Sequence, residues 1–458
     1  MDEYNKYAAL ANTIKIEDIT TCERKQSTLY KIKDNDPSLC QLWICNENQV
    51  HDGRDYSPDT STELAWLGYF LGSNSNVKHL HITNIDLSLF NNPGKDVFFR
   101  GLGNNTKLSE IEVNECQVGA EGIRQLSLAI GECNHSLKHL ILQDNEIGDG
   151  HLVDVIAALS MHPQLEQLDL TWMEIGINGC TALSTLLRCT TTRLQKLNLH
   201  GNNIDDEGVE VLVNALANIN TLRTLNLSSN RSITITGWTA VSTLLEVPSS
   251  LEDLTIHSNN FGDDEALVLA NALANNSTLK LLDLDYCQIT HEGWAPFSKL
   301  LCDTSSVKNT YLSNHTLHYT GDDNEVENVI DSLGINGSGL NKQQVAMSKI
   351  TQHHSHFNME PFFEWEFKVL PIMINWFTRA ASCTNAYEEK IEKMKLSILY
   401  DFIREFPMLY IEPMTRKEIA KYTAKESSSA LLGNQVEAAQ SEEIRQCKAR
   451  AMRRVGIE

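Results

Sequence analysis

Ten side chains recur along this 458-residue chain at spacings that would bring them onto one surface: Asp169, Trp172, Asn198, His200, Asn226, His257, Asp283, Asp285, Tyr286 and Tyr311. Carboxylates beside large aromatics suit the cationic head and aliphatic stem of Lys or Arg, through Coulomb attraction and through a cation lying on a ring face. That is binding chemistry. Catalysis would need a nucleophile with its base, or a phosphate cradle, at fixed spacing. The chain has no Walker loop, dinucleotide glycine fingerprint, H-E-x-x-H or G-x-S-x-G in a strand-to-helix context. His353, His354 and His356 fall at a predicted helix end with no Cys or carboxylate at ligand spacing, so they are expected to be solvated. His200 and His257 fall two strands apart, about 10 Å at a strand spacing of about 4.8 Å, too far to share a metal without another ligand. A non-enzyme with no cofactor and no metal is expected.

The elements that must position these residues are repeats. Segments of the form Leu-x-x-Leu-x-Leu-x-x-Asn-x-Ile start at Val77, Leu108, Leu137, Leu165, Leu194, Leu222, Leu251, Leu279 and Val307, 28 to 31 residues apart. Each unit carries a short strand and a helix and can bury its apolar face only by stacking on its neighbours. In Leu194, Leu197, Leu199, Asn202 and Ile204 the apolar residues turn inward, and Asn202 stands where a side-chain amide can satisfy turn backbone groups. That ladder position holds Cys116, Asn145, Asn202, Asn230, Asn259 and Cys287, and departs from pattern at Ile85, Met173 and His315. Positions three, five, seven and eight of each unit face the open side of the sheet. They supply the ten residues above together with Asn309, and, in the earlier strands, His79, His81, Glu110, Glu112 and Asp144. Helical patterns such as Val209, Leu212, Ala215 and Leu216 follow each strand. A second period of about 57 residues is visible in the runs beginning at Gly179, Gly237 and Gly293.

The 28/29-residue alternation with Asn or Cys at the ladder resembles the ribonuclease-inhibitor-like leucine-rich-repeat superfamily, which includes ribonuclease inhibitor, the Ran GTPase-activating protein and the repeat regions of NOD-like receptors. The resemblance covers about residues 77 to 320. It implies an α/β fold: a curved horseshoe solenoid with a parallel concave sheet and convex helices. It shares a scaffold and not a ligand. Before it, Leu39, Leu42 and Ile44 read as the strand of a degenerate repeat, with Leu64, Leu67, Phe70 and Leu71 on its helix. Beyond Gly339, an aromatic-dense segment (Phe362, Phe363, Trp365, Phe367, Trp376, Phe377) and a helical pattern from Glu388 to Phe406 read as an α-helical C-terminal cap. The segments Met359 to Pro371 and Leu396 to Tyr410 are similar to the C-terminal block of a family of microalgal leucine-rich-repeat proteins, a likeness that carries no activity. The expected organisation is an N-terminal cap over 1–38, a solenoid over 39–335, a helical module over 336–424 and a polar, basic, solvated tail over 425–458.

Charge narrows the partner. The formal net charge is -22, but residues 341–458 hold 17 Lys+Arg and 15 Asp+Glu, leaving 21 and 45 for residues 1–340. A field of that sign disfavours nucleic acid and anionic membranes and favours a basic protein or peptide. Eleven scattered cysteines without a C-x-x-C pair suggest neither a disulfide framework nor a zinc site and fit a reducing cytoplasm or nucleus. No signal peptide or apolar run of membrane-spanning length is read. The expected function is a protein-binding scaffold or regulatory module, with a Ran-type small-GTPase activator or regulator as the alternative. Against that alternative stand a near-neutral C-terminal module and a basic tail where the GTPase-activating family has an acidic one, and no residue here matches that family's catalytic asparagine.

Overall fold

The computed structural model describes residues 2–354, apart from 47–54, 133–136, 146, 190–192, 218, 247–248 and 322–325. The expected aromatic C-terminal helices and basic tail lie outside these described residues. Two compact units are present. One comprises residues 1–300 with 316–333, the other 301–315 with 334 onward.

The first unit is a leucine-rich-repeat solenoid. Helices α1 (Glu3–Leu10) and α2 (Glu23–Lys33) come first, then β1 (Gln41–Cys45), β2 (Asp55–Tyr56) and α3 (Ser61–Ser73). Strand and helix then alternate: β3 (His79–Thr83), α4 (Asn92–Asn104), β4 (Glu110–Asn114), α5 (Gly119–Glu132), β5 (His139–Gln143), α6 (Gly148–Leu159), β6 (Gln167–Asp169), α7 (Ile177–Leu187), β7 (Lys196–Asn198), α8 (Asp206–Leu216), β8 (Thr224–Asn226), α9 (Ile235–Glu246), β9 (Asp253–Thr255), α10 (Asp263–Ala272), β10 (Leu281–Asp283) and α11 (His291–Leu301). All ten strands form one parallel sheet in the order β10-β9-β8-β7-β6-β5-β4-β3-β1-β2. Helices need about 10 Å of lateral room and strands about 4.8 Å, so an array with helices on one side curves with its sheet on the inner, concave face.

The core lies between the sheet and the helices. Leu168, Leu170, Leu197, Leu199, Leu225 and Leu254 are at most 1% exposed, and the apolar faces of α7 and α8 close over them. Asparagines finish each turn. Asn202 Nδ2 donates to the carbonyls of Leu170, Leu199 and His200, and its Oδ1 accepts from the amides of Met173 and Ile175. Asn145 and Asn230 repeat the device, and at Cys116 a thiol donates to the Ile82 carbonyl instead. The expected structural role of the ladder is thus observed.

The 57-residue period has a physical cause. Asp149 Oδ1 accepts from the amides of Gly176 and Gly179, at the start of the next repeat's helix, and Asp206 does the same for Thr234 and Gly237. Asp263 caps Thr290. A Cβ at Gly179, Gly237 or Gly293 would lie 2.6, 2.6 or 2.1 Å from the capping carboxylate, so the close approach requires glycine.

The ninth repeat is not where its pattern suggested. Val307 to Leu312 form a helix, α12, capped by Ser306, whose Oγ accepts from the Asn309 amide at 3.1 Å. The sheet is extended instead at Tyr319, which bridges Leu281, and Leu317 takes the inward place 38 residues after Leu279. Helix α13 (Glu327–Asn336) follows, then α14 (Lys342–His353). In the second unit α14 packs against α12. There, Lys349, 0% exposed, donates to the carbonyls of Leu301 and Asn314, and Thr310 Oγ1 lies 2.8 Å from His354 Nε2.

Candidate functional site on the concave face

With the apolar residues of each strand turned toward the helices, alternation places positions three and five on the concave face. Strict register then aligns them in rows. The first row runs His79, Glu110, His139, Gln167, Lys196 and the second Trp43, His81, Glu112, Ile141, Asp169, Asn198, Asn226.

The C-terminal half of the face carries nine of the ten expected residues. Asp169, Asn198, Asn226 and Asp283 share one local role, since an Oδ1 of each accepts the amide two residues on, at Thr171, His200, Ser228 and Asp285. These are Asx-type turns that end the strands. Asp169 Oδ2 also accepts from Asn198 Nδ2 at 2.8 Å, which orients both side chains. Position eight takes a left-handed backbone in successive repeats, at Asn84, Glu115, Asp144, Trp172, Gly201, Ser229, Ser258 and Tyr286. Asn, Asp and Gly tolerate this region. For Trp172 (φ 52°) and Tyr286 (φ 54°) it is a strained position. Both rings project outward, 49% and 75% exposed.

Trp172 lies across Gly201, where a Cβ would come within 2.4 Å of the indole. It meets His200 edge-on at a centroid distance of 5.4 Å, and His200 lies 5.3 Å from His257. The expected separation of about 10 Å between those two histidines is therefore corrected. The residue between them is Ser228, fully buried and small, and the two rings lean toward each other over it. Burial holds the His200 imidazole below its ordinary pKa, and the neighbouring His257 adds to this, against the pull of Asp169. His257 Nδ1 is 3.0 Å from Ser258 Oγ.

Tyr311, with Asn309, is also corrected. Both lie on α12 and not on a strand of the sheet, because Ser306 nucleates a helix there.

The N-terminal end of the face is a second cluster, richer than expected. Glu110 Oε2 lies 3.1 Å from His79 Nδ1 and 3.2 Å from His139 Nδ1. His81 Nδ1 lies 2.5 Å from Glu112 Oε2, and the His81 ring stacks on Trp43 with centroids 4.0 Å apart and planes 12° apart. Asn114 Nδ2 donates to the other Glu112 oxygen. Burial raises the Glu110 carboxyl, but its bonds to His139 and His79 outweigh that and hold it below the ordinary range. Donor atoms of His81, Glu110 and Glu112 all lie within 4.8 Å of one another. His79, His81, Glu110 and Glu112 were legible as concave residues. His139 and Trp43 were missed, although His139 is position three of its repeat and Trp43 position five of the degenerate one.

The leucine-rich-repeat family model matches residues 133–150, 192–213, 218–241 and 275–298. Pig ribonuclease inhibitor is 27% identical over 264 residues, 57% of this chain and 57% of that protein. Mouse NACHT, LRR and PYD domains-containing protein 4C is 24% identical over 289 residues, 62% of this chain and 29% of that protein. The chain thus spans little more than half the length of the ribonuclease inhibitors and less of the NACHT protein. Among solved structures, an internalin from Listeria monocytogenes aligns over 60% of this chain and 93% of its own, at 15% identity and a TM-score of 0.29. Among the described residues, no helix is long and apolar enough to cross a membrane. The register, the asparagine ladder, the family model and the sequence relatives agree: the chain is a leucine-rich-repeat protein related to ribonuclease inhibitor and to the repeat regions of the NACHT, LRR and PYD proteins.

Proposed function

We propose that this protein is a binding module, not an enzyme, and that it holds a basic protein or peptide on the C-terminal half of its concave face. One observation carries the reading: Trp172 and Tyr286, two large and exposed rings, are held in left-handed backbone beside Asp169, Asp283 and Asp285. The left-handed turn recurs at this position in successive repeats, so what sets these two apart is the bulky exposed ring each carries there, and large aromatics at such places are typical binding anchors. Net charge of -22 supports a basic partner. A reducing cytoplasm or nucleus fits the Cys116 side chain, which donates to Ile82 O as a free thiol.

The test is titration calorimetry with a partner captured from native-cell extract and then purified. Asp283→Lys with Asp285→Lys should weaken binding at least tenfold, and the parent complex should weaken as salt rises. Trp172→Ala should cost about 2 kcal/mol with little salt dependence. Unchanged affinity in variants of unchanged melting temperature would move the binding site off this face.

A further inference from the structure

We propose that the N-terminal end of the concave face is a divalent-cation site of the zinc class, built by His79, His81, Glu110, Glu112 and His139. The observation is the juxtaposition of three imidazoles and two carboxylates on three adjacent strands. Glu110 Oε2 lies 3.1 and 3.2 Å from the Nδ1 atoms of His79 and His139. A tetrahedral zinc with bonds of about 2.0–2.1 Å keeps neighbouring ligand atoms about 3.3 Å apart. Each of these two imidazole nitrogens therefore stands about one tetrahedron edge from the shared carboxylate oxygen. His81, Glu110 and Glu112 supply three donor atoms within 4.8 Å of one another, and His79 or His139, each beside Glu110, supplies the fourth.

Donor chemistry selects the ion. Imidazole with carboxylate suits zinc and its neighbours in the first transition row, whereas calcium and magnesium take oxygen donors. The surroundings hold the donors in place. Trp43 stacks on His81, and Asn114 Nδ2 binds Glu112. Such fixed outer contacts are what orient metal ligands. Two carboxylates side by side on this end of the face also make a dication electrostatically welcome there. Ordinary His–Glu hydrogen bonds would explain one pair. They do not by themselves call for one carboxylate oxygen shared between two histidines with a second pair alongside.

The test uses the full chain without a histidine tag, stripped with chelator and titrated with zinc at pH 7.5, with calcium and magnesium in parallel. One saturable equivalent of zinc, tighter than about 10 µM, is expected, with no comparable binding of the other two ions. Glu110→Gln and the His79→Ala/His139→Ala pair should each weaken it at least tenfold. Cobalt(II) replaces zinc in the parent protein as a measure that needs no variant to fold. It should give the intense visible absorption of a four-coordinate site, and the absorption should vanish when zinc is added. Absence of saturable zinc binding, a weak six-coordinate cobalt spectrum, or tight binding that survives both substitutions would each overturn the proposal, the last by placing the ion elsewhere, such as at His353, His354 and His356.

Discussion

Replacing Asn202 by alanine tests whether the ladder is a set of independent hydrogen-bond plugs of calculable strength. Asn202 is 5% exposed, and its Oδ1 accepts at 3.0 Å from both Met173 N and Ile175 N. Its Nδ2 donates at 2.9 Å to the carbonyls of Leu170 and Leu199. Alanine leaves two buried amides without an acceptor, at about 1–3 kcal/mol each, and takes one donor from carbonyls that tolerate loss better. The sum is about 4 kcal/mol. Asn259 is the internal control. It is equally buried and its Nδ2 donates to Leu227 O and Ile256 O, but among the described residues its Oδ1 has no hydrogen-bond partner. Asn259→Ala should therefore cost about 1–2 kcal/mol, because no amide is orphaned. Urea denaturation followed by far-ultraviolet circular dichroism measures both, and amide hydrogen exchange shows whether Met173 and Ile175 lose protection selectively. Equal losses for the two variants, or a larger one for Asn259→Ala, would refute the accounting.

Two further outcomes follow from single residues. Burial depresses the Lys349 ammonium from 10.5 to about 8. Between about pH 8 and 10.5 the unfolded chain therefore binds the extra proton, and stability rises with pH over that window. Relative to Lys349→Met, the parent should gain about 3 kcal/mol across it, read as melting temperatures of both proteins from about pH 7 to 10.5. A pH-independent difference between them would show that the ammonium is not desolvated. Tyr286→Gly removes a bulky side chain from left-handed backbone at a position 75% exposed, so stability should hold or rise by up to about 1 kcal/mol, while partner binding falls. A loss above about 1 kcal/mol on denaturation would show that Tyr286 is a packing residue.

The fold was legible because burial repeats. Each inward leucine must meet the same neighbour in the next unit, so the sequence carries the period openly, and the ladder asparagines mark where backbone groups need an external partner. The error at the ninth repeat has a physical source. Val307 and Leu312 fit an inward pattern by spacing, but the segment Ser306-Val-Lys-Asn also begins a helix, because Ser306 Oγ can take the Asn309 amide. Local capping won there, and the strand register passed to Leu317 and Tyr319, where the repeat signature is worn to a single leucine.

The site was less legible for a geometric reason. Sequence spacing locates Cα atoms along a row, and a step of about 4.8 Å per strand describes the backbone. On the inner side of a curved array the side chains converge, so tips come closer than their strands. How much closer depends on what stands between them. His200 and His257 reach 5.3 Å because the intervening residue is the buried Ser228; a leucine there would hold them apart. At the other end of the sheet His79 and His139 are likewise two strands apart, and the intervening residue is Glu110, long enough to meet both. The same separation in sequence therefore yields an aromatic contact in one place and a shared carboxylate in the other. The discriminating information is the identity of the middle residue, one repeat away from either histidine. Concave sites of this fold are thus written across three repeats at a time, which a search for motifs within a single segment does not read.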